Sequence, residues 1–154
     1  MWLVSRDRML TQCNLKRRGT EMASRCVFCC REEEDGSHLF VLCPFIRELC
    51  DYFYGVMACQ DLNDLKVEQR LQREGSDLLS QAGKWYWQVI HHAIMWNWWL
   101  ERNKRMFDDE KLELWQVTNI VKETLWQWGL NCLETRGVTK ENLIFNFARV
   151  VREM

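Results

Sequence analysis

The chain has 154 residues, 47% hydrophobic and 28% charged, and carries a formal net charge of −1. This length allows one domain with a sizeable core or two small units, and it excludes a larger assembly of domains. The near-neutral charge excludes a uniformly basic nucleic-acid-binding protein, although residues 1–30 carry six Lys/Arg against two Asp/Glu.

The first residues, MWLVSR, contain no seven-residue apolar run and no small-residue cleavage site of the secretory kind. The eight cysteines are therefore expected to stay reduced, in an intracellular compartment that the sequence does not narrow to nucleus or cytoplasm. The most apolar stretch, residues 85–100, is too short for a bilayer and is interrupted by polar side chains. We expect no membrane association.

The first predicted element is a short helix that ends at Gly19. Thr11 suits its N-cap, Leu15 continues its apolar side, and Gly19 suits a left-handed residue after its last turn. Arg17 and Arg18 then fall in the last turn of this helix.

Four cysteines and one histidine follow between residues 26 and 43. Cys26 and Cys29 form a CxxC pair, and His38 and Cys43 form a second pair near the start of a predicted helix. Three thiolates and one imidazole make a tetrahedral donor set that Zn²⁺ accepts. The pattern predicts one structural zinc ion, with Cys30 competing with Cys29 for the second position. Free cysteines in a core are the alternative.

Redox and catalytic chemistry fit this cluster less well. A thioredoxin-like pair needs a βαβ frame, which the sequence does not indicate. A hydrolytic zinc needs an open coordination position and a general base. Residues 32–35 are acidic, but a run of charges is typical of a solvated loop. We therefore predict no enzymatic activity and no catalytic residues.

Helical spacing governs most of the remaining chain. Pro44 is expected to open or kink a helix, residues 61–83 are mostly polar, and two long helical patterns and a final helix from Thr139 follow. We divide the chain into a zinc-binding module (1–60), a linker with a short helix (61–83) and a helical module (84–154). The predicted fold is mainly α: a small CCHC-type zinc knuckle followed by a tryptophan-rich helical bundle.

Nine tryptophans are many for so short a chain. At helical spacing they indicate a core, but an exposed group would mark a protein partner or a platform for nucleobases. Two further patterns in this region have ordinary explanations. Glu101 and Arg105 lie four residues apart, as an exposed helical ion pair does, and His91 and His92 suit a helix surface or a core edge.

Four motifs occur in succession: TQCNLKRRG, CVFC, HLFVLCPF and WNWWLERNKRMF. Together they resemble the zinc-binding domain that follows the reverse transcriptase in plant non-LTR (LINE-type) retrotransposons. The resemblance covers residues 1–107. Its positions are Trp2, Leu3, Arg8, Met9, Thr11, Leu15, Arg18, Gly19, Cys26, Cys29, His38, Leu39, Phe40, Cys43, Phe45, Trp99, Glu101, Arg102, Asn103, Arg105 and Phe107.

The resemblance implies zinc binding and contact with the RNA of the element or its DNA target. A basic segment beside the knuckle supplies the charge that phosphate contacts need. Its members are Arg6, Arg8, Lys16, Arg17, Arg18 and Arg25. Because the chain begins inside the first helix of the family pattern, we expect a fragment of a longer element. The alternatives are a zinc-stabilised helical module that binds another protein, and a retroelement relic without a retained role.

Overall fold

A computed structural model describes residues 9–21, 24–57 and 77–154. Within these ranges the chain forms six α-helices and one π-helical turn, and no strand. The predicted fold class, mainly α with a Cys/His cluster near the N-terminus, is confirmed.

The first part of the chain contains helix α1 (Gln12–Arg17), the π turn (His38–Leu42) and helix α2 (Pro44–Val56). The Thr11 hydroxyl accepts a hydrogen bond from the backbone N–H of Asn14 and caps α1, as predicted. Gly19 follows α1 with φ +88°, in the left-handed region that a glycine tolerates. Pro44 takes the first position of α2, where its missing N–H costs nothing.

The second part contains α3 (Gln81–Phe107), α4 (Leu114–Gly129), α5 (Lys140–Phe145) and α6 (Phe147–Glu153). Ser80 and Thr139 cap α3 and α5 through their hydroxyls. The N-caps were partly predictable, since Ser and Thr before a helical pattern are a recognised start signal.

Helix α3 lies at the centre of the fold and packs against α4 and α6, while α4 also packs against α5. Its N-terminal turn approaches α6 closely. A Cβ atom added to Gly83 would lie 2.0 Å from the backbone oxygen of Val151, so only glycine fits there. The Ser80 N–H and hydroxyl also donate to the carbonyls of Val151 and Val150.

The first and second parts of the chain share one apolar core. The Trp98 indole of α3 donates to the Leu39 carbonyl of the π turn, 3.0 Å away, and stacks on the Phe28 ring. Residues 81–83, placed in the predicted linker, form the first turn of α3, and residues 61–76 lie outside the described ranges. The division into modules stays a prediction.

The tryptophans fall into three groups. Trp87 and Trp98 are buried, and Trp85, Trp99 and Trp126 are partly buried against the core. The exposed fractions of the others are 54% for Trp96, 65% for Trp115 and 41% for Trp128. Trp2 lies outside the described residues. The tryptophans therefore contribute to the core, and three of them are exposed on α3 and α4.

No helix in the described ranges has the length and apolar character needed to span a bilayer.

Candidate metal centre

A short backbone loop presents the CxxC pair. Residues Arg25 and Glu33 form an isolated antiparallel bridge, the Cys26 N–H donates to the Glu32 carbonyl, and the Cys30 N–H donates to the Cys26 carbonyl. These bonds fold the chain back on itself immediately around Cys29. Both thiols of the pair are thus directed to one side of the loop.

Cys30 has a different position from Cys29. Its φ is +56°, a left-handed conformation that is uncommon for a residue with a side chain, and it is exposed. The thiol of Cys29 lies 3.3 Å from His38 Nε2, whereas Cys30 does not belong to the Cys/His cluster. The geometry therefore favours Cys29 as the second ligand, a choice that spacing alone left open.

The π turn presents the second pair. The Cys43 N–H donates to the His38 carbonyl at 2.8 Å, a bond between residues five apart. A π turn is wider than a turn of α-helix. Residues five apart, such as His38 and Cys43, therefore lie closer to the same face of the turn than they would in an α-helix. The Asp35 carboxylate accepts the His38 N–H at 2.6 Å and fixes the start of the turn. The sequence predicted a helical turn here, and the π geometry was missed.

The four predicted ligands converge. The thiol sulfurs of Cys26, Cys29 and Cys43 and a ring nitrogen of His38 all lie within 4.8 Å of one another. The sulfurs of Cys26 and Cys43 are 3.9 Å apart, close to the roughly 3.8 Å edge of a tetrahedron with Zn–S bonds of about 2.3 Å. This donor set fits a single zinc ion, and Cys26, His38 and Cys43 are buried.

The electrostatics of the thiols also suit a cation. The hydrogen bond from Cys26 to Cys43 and burial raise the pKa of Cys26, while the same bond lowers the pKa of Cys43 despite burial. The two thiols thus lie in hydrogen-bonding contact in a partly desolvated site. A divalent cation held by these residues would displace their thiol protons and keep the sulfurs as thiolates.

Glu34 connects the loop to two helices, and the prediction of a solvated acidic run is wrong at this position. Its side chain is fully buried, and its Oε1 accepts hydrogen bonds from Nε and Nη2 of Arg102, at 3.0 and 2.6 Å. The same oxygen accepts the Gln12 N–H of α1 at 3.0 Å. The other acidic residues of the run, Glu32, Glu33 and Asp35, are exposed, as expected for a loop.

Arg102 therefore has a defined role in the fold. Only 1% of its side chain is exposed, its guanidinium lies 5.1 Å from the centre of the Trp99 ring, and Nη1 donates to Asn103. A buried carboxylate cannot remain charged at low cost without such a partner. Because the two charges are 68 residues apart, no local spacing in the sequence could pair them.

Glu101 and Arg105 form the predicted ion pair at 2.7 Å, but the expectation of an exposed pair is wrong. Glu101 is buried, and its Oε1 also accepts the Leu112 N–H at 2.9 Å. Arg105 donates to the Leu112 carbonyl. The pair therefore holds the connection between α3 and α4 in position. An exposed pair on a helix surface would stabilise only its own helix.

The predicted nucleic-acid-binding residues divide into two groups. Lys16, Arg17 and Arg18 are exposed at the C-terminal end of α1, and Arg25 is exposed in the loop beside Glu33. Arg6 and Arg8 lie outside the described residues. Three consecutive basic residues are thus exposed at one end of α1, and the fourth is bridged to an acidic residue.

His91 and His92 take no part in the cysteine cluster. His91 is buried, with its Nδ1 3.0 Å from the Tyr54 hydroxyl, while His92 is half-buried. Burial lowers the pKa of His92 below its ordinary value. His91 is thus a core residue, and His92 lies at the core edge as expected.

Residues 1–49 match the family model described as zinc-binding in reverse transcriptase. The matched range contains all four candidate ligands and α1, and it ends within α2. Among curated proteins and solved structures, no match to the chain was found. The match and the Cys/His cluster together support a reverse transcriptase zinc-binding domain at the N-terminal end of this chain, with Cys26, Cys29, His38 and Cys43 forming one candidate zinc site.

Proposed function

We propose that this chain is the zinc-binding domain of a plant non-LTR retrotransposon reverse transcriptase, that its zinc ion is structural, and that the domain contacts nucleic acid. The convergence of three cysteines and one histidine within 4.8 Å carries the proposal. The family match at residues 1–49 agrees with it. The LINE-type origin rests on the motif succession described above.

The donor set favours a structural role for the metal. Four protein ligands complete a tetrahedral zinc site, whereas a catalytic site keeps one position for water or substrate. The buried acid nearest in sequence, Glu34, is already bound to Arg102 and to the N-terminal turn of α1. It is therefore poorly placed to serve as a general base, and we infer that the domain is not an enzyme.

A zinc count with ligand variants tests the metal site. We expect one zinc per chain in the wild type, and loss of zinc together with a lower thermal midpoint in Cys43→Ser and in His38→Ala. Cys30→Ser is the matched control, because Cys30 is the adjacent exposed thiol. Stoichiometric zinc with unchanged thermal stability in the two ligand variants would contradict a structural zinc.

The basic end of α1 is the surface that we propose for nucleic acid. Lys16, Arg17 and Arg18 are exposed together, and Glu34 holds the other end of α1 through the Gln12 N–H. Arg102 neutralises the negative charge of Glu34. The acidic run therefore repels a phosphate backbone with one negative charge fewer than the sequence implies. Contacts of this kind carry phosphate affinity without reading bases.

Binding of zinc-loaded protein to labelled single-stranded RNA and duplex DNA, at low and physiological salt, tests this surface. We expect saturable binding that weakens steeply with salt. For single strands, the slope of log K against log salt should flatten by about 0.7 for each phosphate contact removed, so Arg17→Ala/Arg18→Ala should flatten it measurably.

Lys111→Ala/Arg149→Ala removes the same charge from exposed positions distant in sequence from α1 and serves as the control. Equal losses in the two double variants would mean that the effect comes from total charge. If the protein holds one zinc per chain but binds neither nucleic acid, the proposal of nucleic-acid contact is rejected and the proposal of a zinc site is retained.

The exposed tryptophans favour one other function, association with a protein. Trp96 and Trp115 are more than half exposed, and large exposed aromatic residues are enriched where proteins bind one another. Sedimentation over a range of concentrations would detect self-association, and Trp96→Ala/Trp115→Ala should abolish it. A monomer at all concentrations would reject a second copy as the partner.

A further inference from the structure

A cavity of about 340 Å³ lies at the far end of α4 from the α3–α4 connection. The side chain of Tyr86 on α3, the last turns of α4 and the following residues up to Val138 enclose it. Trp126, Leu130 and Val138 supply apolar walls. Its volume is at the lower end of the range for small-molecule sites in proteins.

Tyr86 is one of several polar residues in the lining of this cavity, with Asn131, Thr135 and Arg136. Tyr86 is 1% exposed, and among the described residues its hydroxyl makes no hydrogen bond. The backbone of Gly129 lies against it, since a Cβ added to Gly129 would be 3.3 Å from this oxygen. The hydroxyl oxygen is not fully buried, so it can be reached from the cavity, and without a protein partner it has capacity for a ligand.

The charged residues in the lining indicate which kind of ligand the cavity would bind. Arg136 lies in the lining, is exposed, and forms no ion pair with any residue that the structure describes. No carboxylate lines the cavity. Burial raises the pKa of Tyr86, so that its hydroxyl stays protonated and can donate. A cation and a hydrogen-bond donor thus face a space with aromatic and aliphatic walls.

We propose that this cavity binds a small organic anion, a planar or apolar group that carries one carboxylate or phosphate. The Tyr86 hydroxyl donates to the anion, the Arg136 guanidinium pairs with it, and the apolar part packs against Trp126. The site lies outside the residues that match the zinc-binding family, and it does not depend on the proposed function.

Calorimetric titration of the zinc-loaded full chain with benzoate and with phenyl phosphate tests the proposal, and benzyl alcohol is the uncharged control probe. We expect saturable binding of at least one anion and none of benzyl alcohol. The anion that binds more tightly distinguishes a carboxylate from a phosphate ligand. Tyr86→Phe and Arg136→Gln should each weaken binding by about tenfold or more.

Tyr52→Phe and Arg149→Gln make the same chemical changes away from the cavity and should bind as the wild type does. Circular dichroism and the zinc count show that each variant is folded, and Arg136 is exposed, so its replacement leaves the core intact. Absence of saturable binding by the wild type overturns the proposal. Unchanged affinity in either Tyr86→Phe or Arg136→Gln also overturns it.

Discussion

In residues 24–43, here called the zinc segment, the described regular structure is one five-residue π turn. Beside a few apolar side chains, this segment buries two thiols, one imidazole and a carboxylate. Helices α3 and α4, here called the helical hairpin, bury mainly apolar residues at helical spacing, with Ile90 and Leu125 fully buried. A segment of this length cannot bury enough apolar surface to fix its own fold. Polar and metal-binding groups take that role in the zinc segment.

The two regions meet along one side of α3. Trp98 stacks on Phe28 and donates to the Leu39 carbonyl, and one turn later Arg102 binds Glu34. The hairpin thus supplies an aromatic surface and one buried charge, while the zinc segment supplies the complementary carbonyl and carboxylate. The stability of the zinc segment should therefore depend on metal and on Arg102, and that of the hairpin on packing.

Removal of the metal with a chelator should have the largest effect and should separate the two regions. Zinc binding in small sites contributes on the order of 10 kcal/mol to folding, so the zinc segment should lose its protection from amide hydrogen exchange. The centre of the hairpin should stay protected, because its helices are stabilised by apolar burial. Loss of protection in both regions at the same rate would show that they unfold as one unit.

Glu34→Ala should have the next largest effect, because it leaves the guanidinium of Arg102 buried without its partner. Breaking a buried ion pair in this way costs about 3 to 5 kcal/mol of unfolding free energy. The double variant Glu34→Leu/Arg102→Met should recover much of this loss, since neither charge is then buried. Chemical denaturation measures both values.

Arg149→Ala is the matched control, because its ion pair with Glu153 is exposed. Such a pair contributes at most about 1 kcal/mol, and its loss should be small. Additive effects of Glu34→Ala and Arg102→Ala in a double-mutant cycle would mean that the two residues are not coupled.

The sequence predicted most local features of both regions. Thr11, Gly19, Pro44 and Thr139 mark helix ends by their side chains or their backbone freedom, and each lies where it was expected. The candidate zinc site was also predictable, because ligand type and spacing are properties of short segments. Such features depend on a few neighbouring residues, so sequence alone suffices.

Long-range and conformational features were not predictable. The pairing of Glu34 with Arg102 depends on how the zinc segment docks on α3, and Glu34 could not be told from its exposed acidic neighbours by its sequence context. The left-handed conformation of Cys30 had no signal either, since glycine or asparagine usually occupies such a position. The cavity at Tyr86 combines this residue of α3 with a second segment, residues 126–138, at the end of α4 and after it.

Gly83→Ala should have a smaller effect that is confined to the helical part. The added methyl group would overlap the Val151 carbonyl and force α3 and α6 apart, at a cost of typically about 1 to 3 kcal/mol. Gly55→Ala is the matched control, because it lies in α2 with no atom near its added Cβ, and it should stabilise the protein by about 0.4 to 1 kcal/mol. Both variants should retain one zinc per chain.

The smallest effect expected is a pH dependence from His92 on α3. Burial lowers the pKa of His92 in the folded protein below its ordinary value of 6.5, so the unfolded chain binds the proton more readily. This contribution to stability is complete above pH 6.5 and is lost as the pH falls through 6.5 to the lower folded value. Acid also weakens the zinc segment, because protons compete with the metal for His38 and the thiolates.

His92→Gln separates these two sources of acid sensitivity. The variant should lose the part of the pH dependence that belongs to the hairpin, while its zinc content follows pH as in the wild type. Nuclear magnetic resonance titration of the His92 ring should give a midpoint below 6.5, and denaturation from about pH 7.5 to about pH 6 should show a flatter curve for His92→Gln. A midpoint at or above 6.5 would mean that burial does not control this residue, and the acid sensitivity of the protein would then belong to the zinc segment and other groups.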